Sequence, residues 1–217
     1  NIRGTIDSLR DAYFFDAVES GGQVKYVKRG NDNQTSIPQI NLVEIGKEKK
    51  IIDISRKQEF ELPQKIDVIY LNKIADYQIG NQHSQRLAVS SSGKATIGLS
   101  IVMSNQAAKN IADVALFNSW KERNSYEFIL PIKYVYLEPT DVINVTVEDV
   151  IHTIRITDTR LIEPGALRVQ GVAEDVSVYD FYNEPGQIAP QTGVVNDPGT
   201  TVLAMLDLPA MPADSNG

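Results

Sequence analysis

The chain of 217 residues contains no cysteine, which excludes several kinds of chemistry. Without thiols it can form neither a disulfide framework nor a thiolate zinc site, and it has no cysteine nucleophile. Only two histidines occur, and His83 and His152 are too far apart in sequence to form a His-x-x-x-His pair. We interpret them as a loop residue and a strand-face residue, and we predict no metal site.

Signatures of nucleotide binding and of serine hydrolases are also missing. Neither Gly-x-Gly-x-x-Gly nor Gly-x-x-x-x-Gly-Lys-Thr occurs, so we predict no cofactor. The segment nearest to a Gly-x-Ser-x-Gly elbow, Ser90-Ser91-Ser92-Gly93, lacks the first glycine and is typical of a flexible loop. No apolar run approaches the roughly 18 residues that a membrane-spanning helix needs, so no membrane span is predicted.

Positive charge is scarce. The net charge of −7 and the isoelectric point near 4.9 argue against specific nucleic-acid binding, which needs a clustered basic face. The length allows one large domain or two small ones. Because the chain begins at Asn1 and ends in small polar residues, we expect it to be a piece of a longer polypeptide.

The N-terminal third predicts a helix followed by a hairpin. Apolar residues recur at helical spacing from Thr5 to Tyr13. Phe15 to Ser20 then alternates, Gly21-Gly22 tolerates positive φ, and an extended run resumes at Val24. We assign residues 1–60 to this helix and hairpin region.

The middle of the chain predicts a sheet and a long helix. Lys65–Leu71 is apolar on both faces, as in a central strand, and Ala95–Val102 alternates as a half-buried strand. Asn72–Lys94 is polar and is predicted to be mostly loop. Ser104 or Asn105 caps a helix over residues 105–122, with an apolar stripe along one side.

The C-terminal part predicts an antiparallel meander that closes into a barrel or a sandwich. The strand-like runs are Tyr126–Leu130, Ile132–Leu137, Val142–Glu148, Val150–Ile162 and Leu167–Tyr179. We assign residues 61–182 to one β-rich domain and the proline-rich residues 183–217 to a linker or arm. The predicted class is α+β: an N-terminal helix and hairpin, a mixed sheet with a long helix, and this meander.

Carboxylate pairs are the best candidates for catalysis, since glycosidases use two acidic residues. Glu138 with Asp141 and Glu148 with Asp149 both lie at predicted turns, where acidic residues serve local hydrogen bonding. Asp67 lies on the predicted central strand, where pairing with a lysine or arginine is the expected role. We therefore predict no catalytic residues and no enzyme.

Aromatic residues offer two candidate contact surfaces. Tyr126, Tyr134 and Tyr136 form one candidate, a glycan or partner face on adjacent strands, although packing in the core is the favoured interpretation. A second candidate, an interface just before the proline-rich segment, consists of three further residues. These are Tyr179, Phe181 and Tyr182.

Several short motifs occur in an order that resembles one family of virion proteins. They are FDAVESGG at Phe15 to Gly22, ELPQKIDVIYLNKIADYQ at Glu61 to Gln78, the helix Ala107 to Arg123, Leu130-Pro131, LEPTDV at Leu137 to Val142, and the strand Ala173 to Tyr179. The chain resembles the putative phage tail protein family, which includes the tail-hub or host-specificity protein of gene transfer agents. Members usually have glycine where Thr140 stands here, and we expect a type I turn, which tolerates threonine.

The resemblance implies a structural subunit of a tail hub, tip or baseplate that contributes to tail assembly and host attachment. It implies partners among its own copies, as a trimer, and among other tail proteins, in the virion tail of a phage or prophage particle and in the bacterial cytoplasm during assembly. The alternatives are a β-rich module that binds a host glycan or receptor, and a cell-wall hydrolase.

Overall fold

The structure of the chain is a computed structural model that describes residues 2–31, 35–44, 50–162 and 165–179. Two helices and eleven strands lie in these residues. In chain order they are α1 (Ile2–Tyr13), β1 (Phe15–Ser20), β2 (Gln23–Lys28), β3 (Thr35–Ile37), β4 (Ile52–Arg56), β5 (Pro63–Asn72), β6 (Ile79–Gln85), β7 (Gly93–Met103), α2 (Asn105–Lys121), β8 (Asn124–Pro131), β9 (Val142–Val147), β10 (Val150–Ile162) and β11 (Ala166–Ala173).

The predicted helix and hairpin at the N-terminus are confirmed. Helix α1 leads directly into β1, which pairs with β2 from Phe15 opposite Lys28 to Ser20 opposite Gln23. Gly21 and Gly22 connect the strands with φ values of +60° and +76°. Two successive positive φ angles match a type I′ turn, whose twist suits a two-residue hairpin.

A three-stranded sheet in the order β6-β5-β7 packs against the helices. The predicted central strand is confirmed, because β5 pairs with β6 on one side and β7 on the other. Its inward side chains join α1 and α2 in one hydrophobic core that includes Ile66, Val68 and Tyr70. Helix α2 begins as predicted, since the hydroxyl of Ser104 accepts a hydrogen bond of 3.2 Å from the amide of Ala107.

Strand β6 lies inside the stretch that the sequence predicts to be mostly loop, so that prediction is wrong for Ile79–Gln85. The strand is at the edge of the sheet, and Asn81, His83 and Gln85 on it are exposed. An edge strand with a polar outer face lacks the alternation of apolar residues that would indicate it.

The larger sheet has six strands in the order β3-β9-β10-β11-β8-β4. All neighbours are antiparallel except β3 and β9. Strand β8 lies beside β11 and not beside β9, which makes β8 to β11 a Greek key and not the predicted meander. The outer strands β3 and β4 are not paired with each other among the described residues. Of the two predicted forms the closed barrel is therefore wrong, and the sandwich stays a prediction.

Side chains from this six-stranded sheet form a second hydrophobic core. Phe128, Ile143, Ile154 and Val169 are fully buried there, and each stabilises the fold by about 1.5–3 kcal/mol through loss of water contact. The alternating burial along β9, where Val145 is buried between half-buried neighbours, is the pattern that predicted a strand.

Two of the predicted strands differ from the structure: one is replaced by a short helix, and the other ends before its predicted last residue. Ile132–Tyr134 is a short 3₁₀ helix that begins after Pro131, so the strand predicted over Ile132–Leu137 is wrong. The last strand ends at Ala173, and Val176–Tyr179 forms another 3₁₀ helix. An alternation of apolar residues over a few positions does not distinguish an extended strand from a tight helical turn.

The connection between β8 and β9 contains a strained residue. The amide of Asp141 donates a hydrogen bond of 3.2 Å to the carbonyl of Glu138, and Thr140 has a φ of +83°. A positive φ at the third turn residue, after Pro139, is characteristic of a type II turn. The expected type I turn is therefore wrong, and a β-branched residue occupies a position that favours glycine.

The predicted turn at Glu148 and Asp149 is confirmed, since both residues have positive φ between β9 and β10. Strands from before the predicted boundary at residue 60 pair with later strands, β3 with β9 and β4 with β8. The boundary itself stays a prediction. Residues 183–217, predicted to be a linker or arm, lie outside the described residues.

Candidate functional site

The three tyrosines of the predicted glycan face do not share one exposed surface. Tyr126 is 6% exposed, and its ring centroid lies 5.4 Å from that of His152. Tyr134 is also buried, and its hydroxyl accepts a hydrogen bond of 2.8 Å from the side-chain Nδ2 of Asn41. Tyr136 is 59% exposed. Core packing thus describes two of the three rings, and the glycan face stays a prediction.

Of the predicted interface residues, Tyr179 lies among the described residues, whereas Phe181 and Tyr182 lie outside them. The ring of Tyr179 meets that of Phe14 edge to face, with centroids 6.0 Å apart. Burial and the nearby charge of Glu174 raise the pKa of the Tyr179 phenol. Tyr179 therefore packs within the chain, and the interface stays a prediction.

The predicted carboxylate pair Glu138 and Asp141 is used for local hydrogen bonding. The carboxylate of Asp141 accepts a hydrogen bond of 2.9 Å from the amide of Glu138, which closes the turn. The Glu138 carboxylate accepts a hydrogen bond from the Ser20 hydroxyl and lies 3.5 Å from the ammonium of Lys25. These contacts hold the pKa of Glu138 below its ordinary value, so the group is ionised at neutral pH.

The expectation that Asp67 pairs with a basic residue is confirmed. Its carboxylate lies 2.8 Å from the ammonium of Lys65, two residues earlier on the same face of β5. The pair stands on the outer face of the three-stranded sheet. The ammonium of Lys65 neutralises the Asp67 carboxylate, so no catalytic role is needed to explain a carboxylate at this position.

That outer face carries an apolar patch at its other end, which we call the exposed apolar face. It consists of Ile69, Leu71, Ile79 and Val102. Leu71 lies opposite Ile79 on β6 and opposite Val102 on β7, so the side chains project to one side. Ile79 is 78% exposed. Helices α1 and α2 pack on the opposite face, so the described residues leave this patch uncovered.

A group of five charged residues, two of them buried and three partly buried, lies where four parts of the fold meet. Arg155 on β10 is its centre and is 6% exposed. Its guanidinium contacts Asp16 at 3.3 Å, Glu122 at 2.5 Å and Glu174 at 2.8 Å. Together with Arg29, these residues form what we call the ion cluster.

Arg29 completes the ion cluster from the other side. Its guanidinium binds the carboxylate of Asp16 through two bonds of 2.7 and 2.8 Å and lies 3.8 Å from Glu122. Bidentate contacts of this kind are the strongest charged hydrogen bonds in proteins. Next to Arg29, Gly30 has a φ of +79° and lies so close to Tyr179 that a Cβ would come within 2.6 Å of the ring.

The pKa values of Asp16 and Arg155 are shifted in the directions that favour their charged forms. Burial alone would raise the pKa of Asp16, but the hydrogen bond from Arg29 and the charges of Arg29 and Arg155 hold it below its ordinary value. Burial alone would lower the pKa of Arg155, yet the Glu122 and Glu174 carboxylates raise it. Asp16 and Arg155 are therefore ionised at neutral pH, and the contacts of the ion cluster join β1, the end of α2, β10 and the end of β11.

The described residues contain no group of three or more histidine, aspartate or glutamate side chains arranged to hold a metal ion. Of the described helices, none has the length and apolar character needed to cross a membrane.

Comparison with known protein families gives a match to the family model described as putative phage tail protein, over residues 1–159 of the chain. The chain belongs to this phage tail protein family. The predicted family is thus confirmed, and the tail protein is a component of the virion tail. No curated protein matches its sequence.

Solved structures share the fold of the tail protein. A chain from the virion of a native gene transfer agent particle superimposes with a TM-score of 0.77 at 21% identity, over 84% of the tail protein and 41% of that chain. A tail protein of Neisseria meningitidis MC58 has a TM-score of 0.52 at 9% identity, over 78% of the tail protein and 54% of its own length. The 43 kDa tail protein of prophage MuSo2 from Shewanella oneidensis has a TM-score of 0.52 at 13% identity, with coverages of 82% and 55%. The tail protein therefore spans about two fifths to just over half of these chains.

The ion cluster of the tail protein is absent from the sequence-based predictions. One signal was available, because Arg155 stands between Ile154 and Ile156 in a strand where both isoleucines face a core. A charged side chain in such a run must either reach solvent or find buried partners. Which partners it finds depends on the tertiary fold.

Proposed function

We propose that the tail protein is a structural subunit of the hub or tip of the tail, contributes to tail assembly and host attachment, and acts through surfaces and not through a catalytic pocket. Membership of the tail protein family and the fold shared with a gene transfer agent virion chain support this role. Its partners in the proposal are its own copies, as a trimer, and other tail proteins.

The observation that carries the proposal is the exposed apolar face. Soluble proteins rarely leave contiguous aliphatic side chains on a flat sheet surface unless another protein covers them. Ile74 and Tyr77, in the connection beside this face, are each 61% exposed and extend the apolar surface. A neighbouring subunit of the tail that covered this surface would gain roughly 25 cal/mol for each Å² of apolar area buried.

Light scattering over a range of concentrations tests the self-association part of the proposal. We expect a mass that rises with concentration from the 24.0 kDa of one chain toward three times that value. Ile79→Asp places a charge in the exposed apolar face and should hold the mass at that of one chain. Leu87→Asp is the matched control, since Leu87 is 87% exposed and lies beyond the other end of β6.

Two results would count against this proposal. Association of Ile79→Asp equal to that of the parent would show that this face is not the contact surface. A mass of one chain for the parent at every concentration would remove self-association and leave other tail proteins as the only partners.

Binding of a host glycan is the second candidate function. It is favoured by a shallow groove of about 650 Å³, lined by Trp120, Tyr126, Asn144 and His152 among others, and by the exposed ring of Tyr136. Glycan binding that is lost in Tyr136→Ala, with folding intact, would support it. Cell-wall hydrolysis is a third alternative, and an activity abolished by Glu138→Gln would support that.

A further inference from the structure

The hairpin of β1 and β2 contributes no side chain to either of the hydrophobic cores found among the described residues. Its two strands pair only with each other in the described part of the fold. Val24 and Tyr26 on its outer face are 62% and 59% exposed. The hairpin is therefore held against the rest of the fold by something other than apolar packing.

At its base, the hairpin forms ion pairs with the rest of the fold. Asp16 on β1 contacts Arg155 on β10, and Arg29, directly after β2, lies near Glu122 at the end of α2. The bidentate pair between Asp16 and Arg29 is internal to the hairpin and stays with it in any position. The contacts that join the strands of the hairpin to the larger sheet and α2 are thus ionic, whereas Phe14 and Gly30, the residues that flank the hairpin, lie against the ring of Tyr179 and stay in place as its hinge.

A second polar contact holds the tip. The hydroxyl of Ser20, the last residue of β1, donates a hydrogen bond to Glu138 in the turn before β9. The ammonium of Lys25 lies 2.5 Å from the Ser20 hydroxyl and 3.5 Å from the Glu138 carboxylate. Ser20 is 8% exposed, whereas the side chains of Lys25 and Glu138 are about half exposed, so this contact lies at the edge of the solvent.

Between these two contacts the hairpin does not pack tightly. A cavity of about 210 Å³ lies between the hairpin and the turn that contains Glu138. Val18 and Val27 line it from the hairpin, and Pro139 and Val142 line it from the other side. Close-packed apolar contacts, which normally dominate the docking of a hairpin, are therefore missing at its centre.

We propose that the hairpin is a releasable arm, fastened at its base by Asp16 and Arg155 and at its tip by Glu138, that leaves the body of the fold without unfolding either core. The hydrogen bonds between β1 and β2 are internal and persist when the arm is released. Arg155 keeps Glu122 and Glu174 as partners, so the loss of Asp16 does not leave it uncompensated. The outer surface of the arm and the walls of the cavity then become available together.

Reactivity of single thiols tests this proposal, because the chain contains no native cysteine. Val18→Cys places a thiol on the side of the hairpin that faces the cavity, where the residue is half-buried, and its rate of modification should rise when the arm opens. Val169→Cys places a thiol in the fully buried core of the larger sheet and measures opening of the core. The modification rate of each thiol is measured in the otherwise unchanged chain and in a chain that also carries Asp16→Asn and Glu138→Gln.

We expect the background changes to raise the Val18→Cys rate about tenfold to a hundredfold, since two charge-assisted contacts are lost. The Val169→Cys rate should stay unchanged. A second background, Asp53→Asn with Glu61→Gln, removes the same charge at exposed positions and should leave both rates at their parent values.

Three results would overturn the proposal. Equal acceleration of both thiols would show that the hairpin and the core open as one unit. An unchanged Val18→Cys rate would show that these contacts do not fasten the arm. Modification of Val18→Cys in the parent at the rate of a free thiol would show that the arm is already open.

Discussion

Replacing Arg155 with methionine should be among the most destabilising single changes in the described fold. Methionine fills much of the volume of the arginine stem but cannot neutralise the carboxylates around it. Three carboxylates and two guanidinium groups make up the ion cluster, so its net charge changes from −1 to −2 when Arg155 is lost.

The magnitude follows from the burial of Glu174. Its side chain is 2% exposed, and Arg155 provides its ion pair at 2.8 Å. Breaking a buried ion pair by removing one partner costs about 3–5 kcal/mol, because the remaining charge is left uncompensated. We therefore expect Arg155→Met to lower the free energy of unfolding by about that amount.

Urea denaturation followed by tryptophan fluorescence measures this change, because Trp120 is the single tryptophan and is 9% exposed. The midpoint should fall by about 2 M urea for a chain of this size. The matched control is Arg160→Met on the same strand, where the Arg160 side chain is 76% exposed and its loss should cost less than about 1 kcal/mol. Equal effects of the two changes would refute the stabilising role assigned to the ion cluster.

Further predictions concern the strained turn, the glycine beside Tyr179 and the pH dependence of stability. Thr140→Gly should raise the free energy of unfolding by up to about 1 kcal/mol in urea denaturation, because it removes the strain of a positive φ; a lower midpoint would contradict this. Gly30→Ala should lower it by about 1–3 kcal/mol, since the new Cβ collides with the ring of Tyr179, and an unchanged thermal midpoint would count against that contact. The pKa of Asp16 is lower in the folded chain than its ordinary value of 3.8. Its contribution is therefore complete above that value and is lost as the pH falls through the folded pKa. In urea denaturation measured at a series of pH values, the free energy of unfolding of Asp16→Asn should fall less than that of the parent below about pH 4. Parallel plots of this free energy against pH for the two proteins would exclude a stabilising role for the Asp16 carboxylate.

The parts of the fold that could be predicted from sequence are those with strong local signals. Helix α2 has an apolar stripe and a serine cap, the first hairpin has two glycines at its turn, and β5 has two apolar faces. Each signal lies within a window of about 20 residues, and local preference agrees there with tertiary packing. These elements were predicted correctly for that reason.

The errors fall where the local pattern is ambiguous. Ile132–Leu137 alternates like a strand, but the chain leaves the sheet at Pro131 and Tyr134 instead reaches the core from a 3₁₀ helix. Polar strand β6 shows the reverse problem, since only its pairing with β5 makes it a strand. Tertiary contacts decide both cases, and a single sequence does not contain them.

The ion cluster could not be predicted from the sequence for a related reason. Asp16 and Arg155 are 139 positions apart in the chain, and any of many acidic residues was an equally good partner for Arg155 by sequence. Only the Greek key order of the larger sheet and the position of the hairpin bring them together. The contact between Tyr179 and Phe14 could not be predicted for the same reason, since the two rings are far apart in the sequence.

Immunogold electron microscopy of intact particles tests the proposed hub or tip role most directly. An antibody raised against this chain is applied to purified particles, with antibody pre-absorbed on the same chain as the control. The proposal predicts gold at one end of the tail, away from the head. Gold distributed along the whole tail tube, or placed on the head, would contradict it.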